Sequence, residues 1–229
     1  MLLFLPTFAA GHDPVPAEGW RSTGEPFRLR RTLAEAEDAA RAPDGGRGRV
    51  LVLDARRLDL SNDEPPTAAA VPRRAVLNVD PDGDYWRPEP VVAGGGYVVR
   101  RGAAGVEVLL IFRRGAWDLP KGKLDEGEGP REAAHREVGE EVGIDRDDLR
   151  VLGDLGTTLH GYVWPKREVY AVKTTHWYAM TTTAKTFQPE EREGIEAAVW
   201  VPWAEAGGRL GFETLREHWA SLDPDALGV

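Results

Sequence analysis

The sequence predicts an α/β fold of the α+β kind, a β-sheet packed between helices. Three observations point to it. Residues 94–114 carry two apolar, strand-like runs. A helix-forming stretch follows at 130–143, with proline at its start and glycine at its end. Further alternating runs then lead to a second helical stretch at 212–222.

The opening MLLFLPTFAA is apolar but short, and it lacks the Lys or Arg that begins an export signal. It is too short to span a bilayer, so it reads as a first strand, and a cytoplasmic location is the expectation. Residues 29–42 place Leu29, Leu33, Ala36 and Ala40 at helical spacing, and DGGRG at 44–48 breaks that helix. VLVLDA at 50–55 reads as a buried strand and AVLNVD at 75–80 as another. DPDGDYWRPEP at 80–90 is rich in Pro, Gly and Asp, which marks a turn or linker. The chain is therefore expected to divide into a small α/β module at 1–88 and a second domain at 89–229. In the module, Asp54, Arg56 and Arg57 read as a solvated strand end.

Past the linker, GGGYVVRR (94–101) and VEVLLIFRR (106–114) read as strands joined at GAAG. WDLPKGK (117–123) reads as a loop and 130–143 as a helix. RVLGDLGTTLHGYVWP and REVYAVKTTHWYAMTT follow as strands, with PKR as the hairpin turn between them. In the second, alternation puts Lys173, Thr175 and Trp177 on one face and His176 on the other. AAVWVPW (197–203) is a last strand and FETLREHWASL (212–222) a closing helix.

Composition narrows the function. The 229 residues carry a formal net charge of -9, which argues against duplex nucleic acid as a partner, since that needs a basic footprint. The balance leaves room for a nucleotide, whose phosphates need only a few local cations. With no cysteine there is neither a disulfide nor a thiolate metal site. Hydrophobic residues at 41% and charged residues at 29% describe an ordinary soluble composition with no membrane partner.

The helix at 130–143 carries the chemistry. Glu140 and Glu141 stand three and four residues after Glu137, each within about 60° of it around the axis. Ala134, Val138 and Val142 form the neighbouring aliphatic stripe. Clustered like charges cost stability, and an ordinary surface helix intersperses Lys among them. Carboxylates that converge at a core edge are what a hard divalent cation needs.

Gly122, Glu128, Arg136, Glu137, Val138, Glu140, Glu141, Gly143 and Ile144 fill every position of a pattern that resembles the Nudix box. The resemblance covers roughly residues 90–222 and leaves the N-terminal module out. It implies a Nudix fold, a mixed β-sheet sandwiched between helices. It also implies hydrolysis of a diphosphate linkage in a small molecule, with Mg2+ or Mn2+ as cofactor. By the same resemblance Glu137 and Glu141 are metal ligands, and Glu140 is a third ligand or the group that helps activate water. The carbonyl of Gly122 is a further ligand. Arg136 holds a box carboxylate in place, so Glu137, Glu140 and Arg136 are the catalytic set. Glu128 supports the loop. A base outside the box is expected from Glu190, Glu191, Glu193 or Glu196. Homodimers are frequent among similar proteins, and no stripe in this sequence demonstrates one.

The basic residues near the box, Arg113, Arg114, Lys121 and Lys123, together with Lys173, are candidate phosphate binders. Trp117, Trp164 and Trp177 are candidate base platforms, against the alternative that they are core. WDLPKGK resembles the loop of dinucleoside polyphosphate, diphosphoinositol polyphosphate and oxidised-nucleotide hydrolases. Tyr162 lies near a tyrosine that recurs in the first of these. The proline of ADP-ribose hydrolases is missing, with His160 in that area and Pro165 too late, and no SQPW-type segment suggests an NADH hydrolase. Nucleoside or dinucleoside polyphosphates are the expected substrates. The competing reading is a nucleotide-sensing module without hydrolysis, which the intact box disfavours.

Overall fold

The computed structural model describes residues 2–7, 30, 32–41, 49–57, 73–80, 84–103 and 105–229. Leu29, the expected break at 44–48, and parts of the expected turns at 80–90 and 102–105 lie outside these residues. Two compact units result, one of Met1–Pro90 with Gly161–Val172 and one of Val91–His160 with Lys173–Val229.

In the first unit, β1 (Leu2–Thr7) and α1 (Leu33–Arg41) match the expected strand and helix. Helix α1 buries Leu33 and Ala36, one turn apart. Strand β2 (Arg49–Asp54) pairs antiparallel with β1, from Leu2 opposite Asp54 to Thr7 opposite Arg49. Asp54 is buried and bonded by Arg56, whose Nη2 lies 2.8 Å from Oδ2, and that contact holds its pKa below the ordinary carboxylate value. Arg56 and Arg57 are exposed, as expected of a solvated strand end, whereas Asp54 is buried against them.

The strand expected at 75–80 does not form a ladder. Arg73–Ala75 is a short 3-10 turn, followed by single bridges at Val76 and Val79. The reason is Asn78, fully buried, whose side-chain amide replaces the ladder. Its Oδ1 accepts from the Val52 amide at 2.9 Å, and its Nδ2 donates to the carbonyls of Val50 and Trp86 at 3.0 and 3.1 Å.

The larger sheet is mixed and consists of β3 (Arg87–Gly102), β4 (Gly105–Arg113), β5 (Ala116–Asp118), β6 (Lys121–Lys123), β7 (Leu149–Trp164), β8 (Val169–Thr182) and β9 (Ile195–Pro202); residues 87–90, 161–164 and 169–172 of it fall in the first unit and the rest in the second. The strand order is β5-β4-β3-β8-β7, with β6 on β3 and β9 on β4. The linker ends earlier than expected, because β3 already begins at Arg87. The supposed loop at 117–123 contains the two short strands β5 and β6. Arg114 and Gly115 make the two-residue hairpin between β4 and β5, both with positive φ (50 and 78).

Both faces of this sheet are covered, as its unbroken apolar runs require. Val98, Leu109, Ile111, Tyr178 and Met180 face α2 (Pro130–Val142), which contributes Ala134, Val138 and Val142. The alternate residues Tyr97, Val99, Val108, Leu110 and Trp177 face α3 (Trp203–Arg209) and α4 (Glu213–Ala220), which contribute Ala206, Leu215 and Trp219. Helix α3 stands where the last strand was expected to reach Trp203. Pro202 ends the strand, and the Trp203 ring stacks on Trp219 at 3.7 Å, which anchors a short helix despite its two glycines. Among the described residues no helix is long and apolar enough to cross a membrane.

Candidate active site

Helix α2 owes its position to three sequence features. Pro130 takes the first helical position, and Glu132 accepts from the Gly129 amide at 2.9 Å. Gly143 ends the helix in the left-handed region (φ 65, ψ 45). A Cβ there would also lie 2.3 Å from the Gln188 carbonyl oxygen, so only glycine fits. Gly94 in β3 supplies the third feature. A side chain on it would meet the Pro130 oxygen at 2.3 Å and the Ala134 nitrogen at 2.5 Å. The helix therefore rests directly on β3, and its acidic stripe lies over the neighbouring β6.

That contact brings the box residues together. A Cβ on Gly122 would fall 1.8 Å from Glu137 Oε2, so the carboxylate lies against the bare backbone of β6. Burial pushes the Glu137 pKa up, and Arg136 partly offsets it. Arg136 gathers the other acids. Its Nη1 reaches Glu137 Oε1 at 2.8 Å and Glu140 Oε2 at 3.1 Å, and its Nη2 reaches Glu128 Oε2 at 2.7 Å and the Lys123 carbonyl at 2.9 Å. These bonds, Glu128 first, hold the guanidinium above its ordinary pKa and Glu128 below its own. Glu128 also accepts from the Asp125 amide at 3.0 Å, which pins the loop.

Glu141 is the buried member, 2% exposed. Arg113 Nη1 donates to its Oε1 at 2.7 Å and the Lys121 amide to its Oε2 at 2.8 Å. Burial pushes its pKa up to about 7, against the pull of Lys121 and Arg113.

The expected phosphate binders are placed unequally. Lys121 Nζ lies 2.5 Å from Oδ2 of Asp118, a buried acid that also accepts from the Leu119 amide at 2.8 Å. Lys123 is exposed beside the site, and Arg114 is exposed at the tip of the β4–β5 hairpin. Lys173, half-buried on β8, has its pKa pushed down to about 8 by burial first and by Lys121 next. Trp177 is 1% exposed, with its Nε1 on Thr158 Oγ1 at 2.9 Å, so it is core and not a base platform. Trp117 packs on Phe112 at 5.1 Å, and Trp164 lies under Arg167 at 5.1 Å.

The outer glutamates sit on a segment tied to the end of α2. The Gln188 amide donates to the Val142 carbonyl and the Glu190 amide to the Glu141 carbonyl, both at 3.0 Å. Glu191, Glu193 and Glu196 are exposed, and Glu193 approaches Arg113 Nη2 at 3.5 Å. Sequence reasoning missed the pairing roles of Asp118 and Arg113. The available signal was Asp118 itself, an acid set between Trp117 and Leu119 in an otherwise apolar run.

The donor types suit a hard divalent cation: carboxylate oxygens on successive turns of one helix, facing a glycine backbone. Arg136 spans Glu137 and Glu140, and among the described residues no three acidic or imidazole groups converge on one point. A cation held here would share those two carboxylates with the guanidinium, and Glu141 would have to give up the proton that burial favours in order to bind it.

The chain is similar to several known proteins. Residues 91–221, more than half of the chain, match the NUDIX domain. A candidate mutator protein, MutT4, of Mycobacterium tuberculosis (strain CDC 1551 / Oshkosh) is 32% identical over 160 residues, which is 66% of this chain and 62% of that protein. An RNA pyrophosphohydrolase of Photobacterium profundum is 36% identical over 88 residues, 38% of this chain and 47% of that one. This chain thus spans about half to three-fifths of the length of these relatives. Among solved structures, the E. coli dihydroneopterin triphosphate pyrophosphohydrolase aligns with a TM-score of 0.49 at 20% identity, covering 59% of this chain and 96% of that one. With the full box folded around α2 and the domain match spanning the second unit, the chain belongs to the Nudix family.

Proposed function

We propose that this chain is a Mg2+-dependent pyrophosphohydrolase that cleaves a diphosphate linkage in a nucleoside or dinucleoside polyphosphate by attack of water. The observation that carries the reading is the placement of the Glu137 carboxylate against Gly122, beside Arg136, Glu140 and the buried Glu141. Relatives that bear the name RNA pyrophosphohydrolase support the reaction class. In this reading residues 89–229 form the hydrolytic domain and residues 1–88 a separate module.

Glu137, Glu141 and the Gly122 carbonyl would hold Mg2+, with Mn2+ as substitute. A bound divalent ion neutralises phosphate charge and acidifies water. Glu140, the most exposed of the three helix acids, accepts the proton from water. Glu193 is the outer glutamate best placed to share that role, since it reaches Arg113 and through it Glu141. Arg136 keeps Glu137 and Glu140 oriented, and Arg113 keeps Glu141 oriented. Lys121, Lys123, Arg114 and Lys173 supply positive charge to the substrate phosphates.

The test is release of phosphate or nucleotide by the purified chain with Mg2+. The panel holds diadenosine tetraphosphate, nucleoside triphosphates, 8-oxo-dGTP, ADP-ribose and a diphosphoinositol phosphate. Metal-dependent turnover of a nucleoside or dinucleoside polyphosphate is expected. A folded, Mg2+-binding protein inert on the whole panel would overturn the hydrolase in favour of nucleotide sensing.

A further inference from the structure

Asp118 is an acid in an apolar setting. It lies between Trp117 and Leu119 at the end of β5 and is 3% exposed. Both groups that face it are donors. The Leu119 amide reaches Oδ1 at 2.8 Å, and Lys121 Nζ reaches Oδ2 at 2.5 Å. A carboxylate accepts on both oxygens and satisfies the two together. Asn in its place, turned to accept from Leu119, would present its NH2 group to the ammonium. The support beneath Asp118 is fixed. Asp118 pairs with Ile111 of β4, Trp117 bridges Leu210, and the Gly211 amide donates to the Trp117 carbonyl at 2.9 Å.

Lys121 stands between two buried carboxylates. Its own backbone amide donates to Glu141 Oε2 at 2.8 Å, so the root of its side chain lies beside that acid. The ammonium also pulls on Glu141 through space, the largest influence on that carboxyl after burial. Its ion pair nevertheless goes to Asp118. Glu141 accepts from Arg113 on one oxygen and from the Lys121 amide on the other, and keeps lone pairs for a further partner. A lysine stem is flexible, and a partly buried charge without a partner is costly. Released from Asp118, the ammonium would turn to Glu141, on which it already pulls.

Resting on the metal-dependent hydrolase reading, we propose that Asp118 is a positioning residue that holds the Lys121 ammonium off Glu141. Glu141 is thereby left open to the divalent ion. The ammonium uses one donor on Asp118 and keeps the others for substrate phosphate. Asp118 acts through Lys121, and its removal is felt at Glu141.

Mn2+ binding to the full chain, followed by loss of the free-ion electron paramagnetic resonance signal, tests this without turnover. Asp118→Asn should weaken Mn2+ about tenfold. Lys121→Gln keeps a donor for Asp118 and loses the charge, and it should bind within about twofold of the parent. The double variant should also return to within about twofold, because no ammonium is left to turn. Asp118→Ser, whose hydroxyl still accepts from the Leu119 amide, gives the same test should Asp118→Asn not fold. Parent-like Mn2+ binding by Asp118→Asn would overturn the proposal. So would a double variant as weak as Asp118→Asn, since Asp118 would then act on the turn itself. Additive effects, with Lys121→Gln alone tightening Mn2+ as much as it rescues, would reduce the role to net charge and overturn it as well. Glu141→Gln separates this proposal from the reading beneath it. If that variant binds Mn2+ like the parent, the metal reading fails and the proposal with it. If it loses Mn2+ while Asp118→Asn does not, the positioning role alone fails.

Discussion

Arg113 in β4 donates to Glu141 in α2 at 2.7 Å, and it does so inside the protein, where the carboxylate is 2% exposed. The contact joins residues 28 positions apart and partly offsets the burial that pushes this box acid toward neutrality. A buried acid held by one guanidinium and one amide is a fixed part of the site and not a solvated surface charge.

Glu141→Gln should lower turnover by about 10^2-fold or more, since the amide keeps the shape and loses the charge that a divalent ion needs. Far-ultraviolet circular dichroism should match the parent. Parent-like turnover would remove Glu141 from the metal set.

Stability should depend on pH in a stated direction. Glu141 has a folded pKa near 7, above its ordinary value, so the folded state holds the extra proton. Its contribution is complete at low pH and is lost as pH rises through about 7. Metal-free protein should therefore melt a few degrees lower at pH 7.5 than at pH 5.5, by about 2–4 °C. Mg2+ should reverse the trend, with its stabilisation growing as pH rises. Lys173, depressed to about 8, acts in a higher window, adding stability only above that pH. Differential scanning calorimetry at both pH values, with and without Mg2+, reads both effects.

Gly122→Ala should place a methyl group inside the Glu137 carboxylate, 1.8 Å from an oxygen. Glu137 must swing away, and Mg2+ affinity should fall about tenfold or more. Because β6 is a short strand, the melting temperature should change little. Titration of Mg2+ against this variant checks the pairing.

Gly143→Ala should act on the fold instead. The left-handed backbone and the Gln188 oxygen at 2.3 Å both oppose a side chain. A loss of about 2–4 kcal/mol is expected in urea unfolding. The segment that carries Glu190 and Glu193 should loosen with it, seen as faster amide exchange at Gln188 and Glu190.

Several parts of this protein were fixed by local sequence. Pro130, the aliphatic stripe of Ala134, Val138 and Val142, and Gly143 define α2 to the residue, because start, face and stop signals all act within a few turns. The two covered faces of the sheet were written in the buried alternation of β3, β4 and β8. The box residues, and with them the family, needed no coordinates. What needed them were pairings between elements distant in the chain. Asn78 turned an apparent strand into a side-chain-bonded bridge, and Trp219 turned the end of β9 into α3. Asp118 neutralised Lys121, and Arg113 took Glu141. Periodicity says which face a residue occupies. Only packing decides which charge stands opposite, how much water remains around it, and so which carboxylates and amines are free to meet a ligand.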